Sequence, residues 1–123
     1  MTQAKLKDLT VVQLVERFAA MGVEQDKALL YDEYAKFNRI FEQMEAVKAE
    51  LKSRPGDQRC ALLALFDHSN MQVRLKAAKA TLAVAPDAAR EMLQRIQQWG
   101  RQPQAGDAGM CLWNLDRGVF VPK

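Results

Sequence analysis

The sequence predicts an all-α fold built from stacked helical hairpins, and three observations carry that prediction. The run Asp67–Pro86, DHSNMQVRLKAAKATLAVAP, reads as a turn, a capped helix and a stop in unbroken succession. Apolar residues recur at spacings of three and four along most of the chain, the period of an amphipathic helix. Helix-stopping residues at Gly22, Pro55-Gly56, Pro86, Gly100 and Gly118 divide these stripes into about six segments of helical length.

Each element follows from its own residues. Thr10 with Gln13 makes a capping-box pattern, and Val11, Leu14, Val15 and Phe18 supply the stripe of a first helix over residues 10–21, stopped at Gly22. A second helical region covers residues 24–52, with Leu30, Tyr34, Phe37, Phe41, Met44 and Leu51 on one side. As one long helix, bent or straight, it would span roughly 44 Å. An overhang bearing Phe41, Met44 and Leu51 would then offer a homodimer surface through residues 34–52, whereas a break near Tyr34–Asn38 would fold the segment back on itself. Pro55 opens a third helix with Leu62, Leu63, Leu65 and Phe66 on its buried side.

The fourth helix runs from its N-cap Asn70 to Ala85, and its small apolar face of Val73, Ala77, Ala78, Ala80, Leu82 and Val84 implies close helix neighbours. Pro86 starts the fifth, in which Ala89, Met92, Leu93 and Ile96 face inward, Trp99 packs at the end and Gly100 stops the helix. Residues 101–106 read as a loop, Asp107 as the cap of a last helix through Arg117, and Gly118 as its stop. Val119 and Phe120 are expected to fold back over the last apolar surface. The helices pair first with second, third with fourth and fifth with sixth, and three such hairpins are about the minimum for a stacked array.

The run HSNMQVRLKAAKATL resembles the second helix of a HEAT repeat: Val73 and Arg74 follow a short turn, with Ala77, Ala78 and Leu82 behind them. His68 and Asn70 stand where that repeat's turn usually carries aspartates, and Ser69 and Met71 where prolines are common. More broadly, DKALLYDEYAKFNRIF, ELKSRPGDQRCALLALFDH and QAGDAGMCLWNLDRG are similar to a family of short bacterial proteins of unknown function with a HEAT-like fold. The resemblance implies a single domain over residues 1–123, a HEAT/armadillo-like α-α superhelix of about six helices in three hairpins. It implies no activity.

Composition bounds the function classes. A chain of 123 residues, 49% of them hydrophobic, can bury a core without disulfide or metal staples. No apolar run approaches the roughly twenty residues of a membrane span, and the polar start MTQAKLKD lacks a secretory signal's apolar core, so the expected place is the bacterial cytoplasm, away from membranes. Cys60 and Cys111 lack metal-ligand spacing and are expected to be reduced, buried small residues. The net charge of +3 is uneven: residues 1–52 carry eight basic and nine acidic side chains, residues 53–123 ten and six. That excess can bias an encounter with an acidic partner but falls short of a nucleic-acid-binding stripe.

No glycine-rich phosphate loop, HExxH pair, CxxC pair or nucleophile elbow is present, and His68 is the only histidine. It is expected to cap or be solvated. The sequence therefore predicts no catalysis and no cofactor. On the fourth helix Gln72, Lys76, Lys79 and Ala83 share one side, with Arg74 on its flank. In HEAT-like arrays the second helices line the concave surface, so the resemblance makes Arg74, Lys76 and Lys79 candidates for partner contact, joined from the last helix by Trp113, Asn114 and Arg117. Trp and Arg are the residue types that most often anchor interfaces. The expected function is protein binding by an adaptor or an immunity-type protein that neutralises a toxin. The alternative is nucleic-acid binding or processing through a mildly basic concave surface, as in HEAT-like DNA glycosylases.

Overall fold

The structure is a computed structural model and describes residues 5–123. Among these residues every regular element is helical. Five α-helices, α1 (Val11–Leu30), α2 (Tyr34–Ser53), α3 (Met71–Thr81), α4 (Pro86–Trp99) and α5 (Gln104–Asp116), are accompanied by a 3-10 turn at Leu6–Asp8 and a 3-10 helix at Gln58–Asp67. The chain forms two compact units, one extending to Ala61 and the other from Leu62 to Lys123.

The first unit is the hairpin of α1 and α2. Its start forms as expected: the Thr10 hydroxyl accepts the Gln13 N–H at 3.1 Å, and the Gln13 amide oxygen accepts the Thr10 N–H at 2.8 Å. The predicted stop does not. Gly22 lies buried inside α1, which continues to Leu30. The helix ends where Glu33 N–H reaches back to the Ala28 carbonyl at 2.8 Å and Asp32 N–H to that of Leu29 at 3.3 Å, with Asp32 in the left-handed region at φ 55°. This is a Schellman stop with aspartate in the place glycine usually takes. The Asp32 carboxylate accepts the Tyr34 hydroxyl at 3.0 Å, a bond that, with the carboxylate's charge, raises the phenol's pKa.

The expected helix over residues 24–52 is thus two helices folded against each other. Ile40, Met44, Val47 and Leu51 of α2 are buried, so most of the stripe is internal, while Tyr34 and Phe41 stay exposed, at 63% and 39%. The surface expected to join two copies through residues 34–52 thus loses Met44 and Leu51. Beyond α2, the Arg54 guanidinium takes the Glu50 carboxylate at 2.6 Å and donates to the carbonyls of Leu6 at 3.1 Å and Leu9 at 2.8 Å. One fork thus binds the end of α2 to the segment leading into α1.

Pro55 does not open a helix. It sits in a turn closed by Asp57 N–H on the Arg54 carbonyl at 2.9 Å, with Gly56 and Asp57 both left-handed. The following segment is 3-10 over ten residues, a length rarely reached by that geometry. With three residues per turn, Arg59, Leu62 and Leu65 align on one face, and these are its buried positions. Leu63 and Phe66, expected to be buried with them, are intermediate. The Asp57 carboxylate holds Arg59 from both oxygens, at 2.9 and 2.7 Å. Cys60, expected inside, is exposed.

In the second unit α4 packs against both α3 and α5. Leu75, Ala78, Leu82, Ala89, Leu93, Ile96, Ala108 and Leu112 form its core, with Phe66, Met71 and Leu115 against it. Each larger side chain contributes about 1.5–3 kcal/mol on full burial, and the alanines let the helices approach. Asn70 caps α3 as predicted, accepting the Val73 N–H at 3.1 Å, while His68 Nδ1 accepts the Asn70 N–H at 3.0 Å. The helix ends at Thr81 and not at Ala85. The buried Thr81 hydroxyl bonds the carbonyls of Ala77 and Ala78, and its own carbonyl takes the N–H groups of Val84 and Ala85, turning the chain before Pro86. Pro86 and Gly100 bound α4 as expected, but Trp99 points outward, 78% exposed.

Candidate functional site

Two large exposed side chains, Met110 and Trp113, lie on α5. That helix begins at Gln104, three residues before the predicted cap, so residues 104–106 belong to it and Asp107 sits in its first turn, where a carboxylate favours the helix N-terminus. Its far end is a second Schellman stop: Val119 N–H reaches the Asn114 carbonyl at 2.9 Å and Gly118 N–H that of Leu115 at 3.2 Å, with Gly118 at φ 71°. Val119 and Phe120 are turned back by these bonds yet stay exposed, at 68% and 38%.

Gly106, Gly109, Met110 and Trp113 recur at helical spacing and form one face of α5. With Gln97 of α4 and Gln102 they line an open groove of about 400 Å³. The glycines pave it. At Gly109 a Cβ would stand 3.0 Å from the Gln97 amide nitrogen, so a side chain there would press on α4. Met110 and Trp113 rise from this floor, 62% and 59% exposed, and the Arg117 guanidinium carbon lies 5.5 Å from the Trp113 ring centroid, a cation–π contact at the groove's edge. The outward side of α5 thus presents a large ring, a flexible thioether and a cation beside a floor without side chains.

The other predicted contact residues lie elsewhere. Arg74 donates to the His68 carbonyl at 2.9 Å, which secures the turn before α3. Lys76 is half-buried. Lys79 pairs with Asp107 at 2.9 Å, bridging α3 to α5. Gln72, expected on a solvated side, is 3% exposed and accepts from the Gln104 amide at 3.0 Å. Asn114, seven residues from Asp107, lies on the α3 side of α5, whereas Trp113, six residues from Asp107, is turned about 120° away. The structure therefore joins Trp113 with Arg117 and leaves the α3 cations on another side. Beneath them, burial raises the Cys111 thiol's pKa, so this cysteine is held protonated. Among the described residues no three His, Cys, Asp or Glu side chains gather as a metal site, and no helix is long and apolar enough to cross a membrane.

The sequence reading missed Gly106, Gly109 and Met110. Their signal was the spacing in QAGDAGMCLW, hidden because residues 101–106 read as loop.

The family model described as "Domain of unknown function (DUF2019)" matches residues 12–116. The chain belongs to that family. No curated protein matches this DUF2019 chain. Among solved structures, it is similar to the protein RPA1889 from Rhodopseudomonas palustris CGA009, at 55% identity and a TM-score of 0.94 over 98% of this chain and 100% of the other.

Proposed function

We propose that this DUF2019 chain is a non-catalytic protein-binding module of a bacterial cell, an adaptor or an immunity-type protein, which contacts its partner through the α5 groove. The observation that carries this reading is the exposed Trp113, flanked by Met110 and Arg117 over a glycine floor. Burying a Trp side chain removes about 150–250 Å² from contact with water, and interface energy concentrates in such anchors. The capped, alanine-rich α3 and its packing beneath α4 support the finer architectural reading of one HEAT/armadillo-like α-α superhelix over residues 1–123.

Nucleic-acid binding is the weaker alternative. Lys79, Arg90 and Arg95 of the basic second half are each already paired, with Asp107, Asp116 and Glu91, so less positive charge is free to displace counterions from phosphates. The deciding experiment is affinity capture from a bacterial lysate at physiological salt by wild type, Trp113→Ala and Lys76→Glu/Lys79→Glu. The expected result is a discrete protein retained by wild type and by the double lysine variant, and lost at least tenfold on Trp113→Ala. Nucleic acid as the retained species, released by the lysine changes and indifferent to Trp113, would overturn the proposal.

A further inference from the structure

The first unit contains a cleft of its own. On α1, Arg17, Ala20, Met21 and Glu24 recur at helical spacing and face one side of α2, where Lys36, Arg39 and Ile40 repeat the pattern. The two stripes run past each other and enclose an open trough of about 330 Å³, within the size range of small-ligand sites. Its length is set by the seven-residue span from Arg17 to Glu24, about 10 Å of helix.

The trough is asymmetric. Its floor is Ala20, Met21 and Ile40, and the short Ala20 side chain leaves the space between the helices open. At one end Glu24 meets Lys36 at 3.7 Å and also takes Lys27 at 3.4 Å, so the lining's carboxylate is already matched. At the other end stands Arg17, while Arg39 lies one turn of α2 beyond Lys36, and among the described residues no carboxylate pairs with either arginine. Three cations and one carboxylate around an apolar floor leave a positive excess, carried by guanidinium groups whose forked donors suit a carboxylate. The remaining apolar floor calls for a hydrocarbon body short enough to stop before the Glu24–Lys36 pair.

We propose that the trough between α1 and α2 binds a small amphipathic carboxylic acid, its carboxylate on Arg17 and its apolar chain along Ala20, Met21 and Ile40. Charge complementarity selects the occupant. An amine would meet the arginine, and a neutral alcohol would leave it without an anion. The site is independent of the α5 groove, so it can be right or wrong whatever the fate of the protein-binding reading.

The test is a heteronuclear NMR titration of the full chain with octanoate, octanol and octylammonium as probes. Octanoate is expected to saturate, with shifts centred on Ala20, Met21 and Ile40, and to bind at least tenfold more tightly than either of the others. Arg17→Gln should weaken octanoate at least tenfold, while Arg95→Gln in the second unit leaves it unchanged. Ala20→Leu fills the trough without altering charge and should abolish binding in a chain whose circular dichroism is unchanged. Equal binding of the three probes, shifts centred elsewhere, no saturation, or octanoate binding that survives Ala20→Leu would each overturn the proposal.

Discussion

Asn70 is a single residue whose role can be read at every level, from its place before an apolar stripe to its bond with the Val73 N–H. Its replacement tests that chain of reasoning: Asn70→Ala should cost about 1 kcal/mol, measured as a lower denaturant midpoint with an unchanged slope. A cost near zero would mean that the His68 turn holds the helix start without it. Legibility at this scale depended on whether a residue plays its usual part. Gly118 and Asp32 hold the same left-handed place in two Schellman stops, yet the first was visible in the sequence and the second was not. Glycine is the residue expected there, whereas aspartate pays a steric penalty that local hydrogen bonds offset. Gly22 misled for the converse reason. It sits buried in mid-helix, where tertiary packing outweighs its low helix propensity.

Among the elements, the 3-10 helix departs furthest from expectation. Leu62, Leu63, Leu65 and Phe66 suit an α-helix as well as a 3-10 helix, because over the four steps from Leu62 to Phe66 the two periods diverge by only about 80°, too little for apolar spacing to separate them. At the start of the 3-10 helix the Arg59 side chain is almost wholly enclosed and, among the described residues, pairs with the Asp57 carboxylate alone. Arg59's hydrogen bonds lower the Asp57 carboxyl's pKa below its ordinary range. A group depressed on folding contributes stability that is complete above its unfolded pKa, about 3.9, and is lost as pH falls through the folded value. The stability gap between wild type and Asp57→Asn should therefore be constant at neutral pH and shrink below about pH 4, as read from urea midpoints across a pH series. A gap that widens on acidification would refute the role assigned to this pair. The α4 boundaries, by contrast, were legible because Pro86 and Gly100 act through covalent geometry and cap position. The α5 groove was not, because it needs the side of α4 that bears Gln97, a neighbour that helical spacing within α5 does not specify.

For the whole molecule the decisive change is that the stripe expected to join two copies is spent inside one. Met44 and Leu51 are at most 1% exposed, which leaves Tyr34 and Phe41 of that stripe for a partner subunit to cover. Sedimentation should give a monomer unchanged across a wide concentration range, and Met44→Ala should cost about 2–5 kcal/mol through the cavity it opens. A species that dissociates on dilution would restore the dimer. Arg54 adds a temporal constraint to this architecture. The carbonyls it holds belong to Leu6 and Leu9, so the 3-10 turn at Leu6–Asp8 is tied down by a side chain that leaves the ribosome more than forty residues later. During synthesis the Thr10 cap can form as soon as α1 emerges, but the Leu6–Leu9 segment gains its tie to Arg54 only once α2 has been made in full. That segment is therefore among the last parts of the first unit to be fastened.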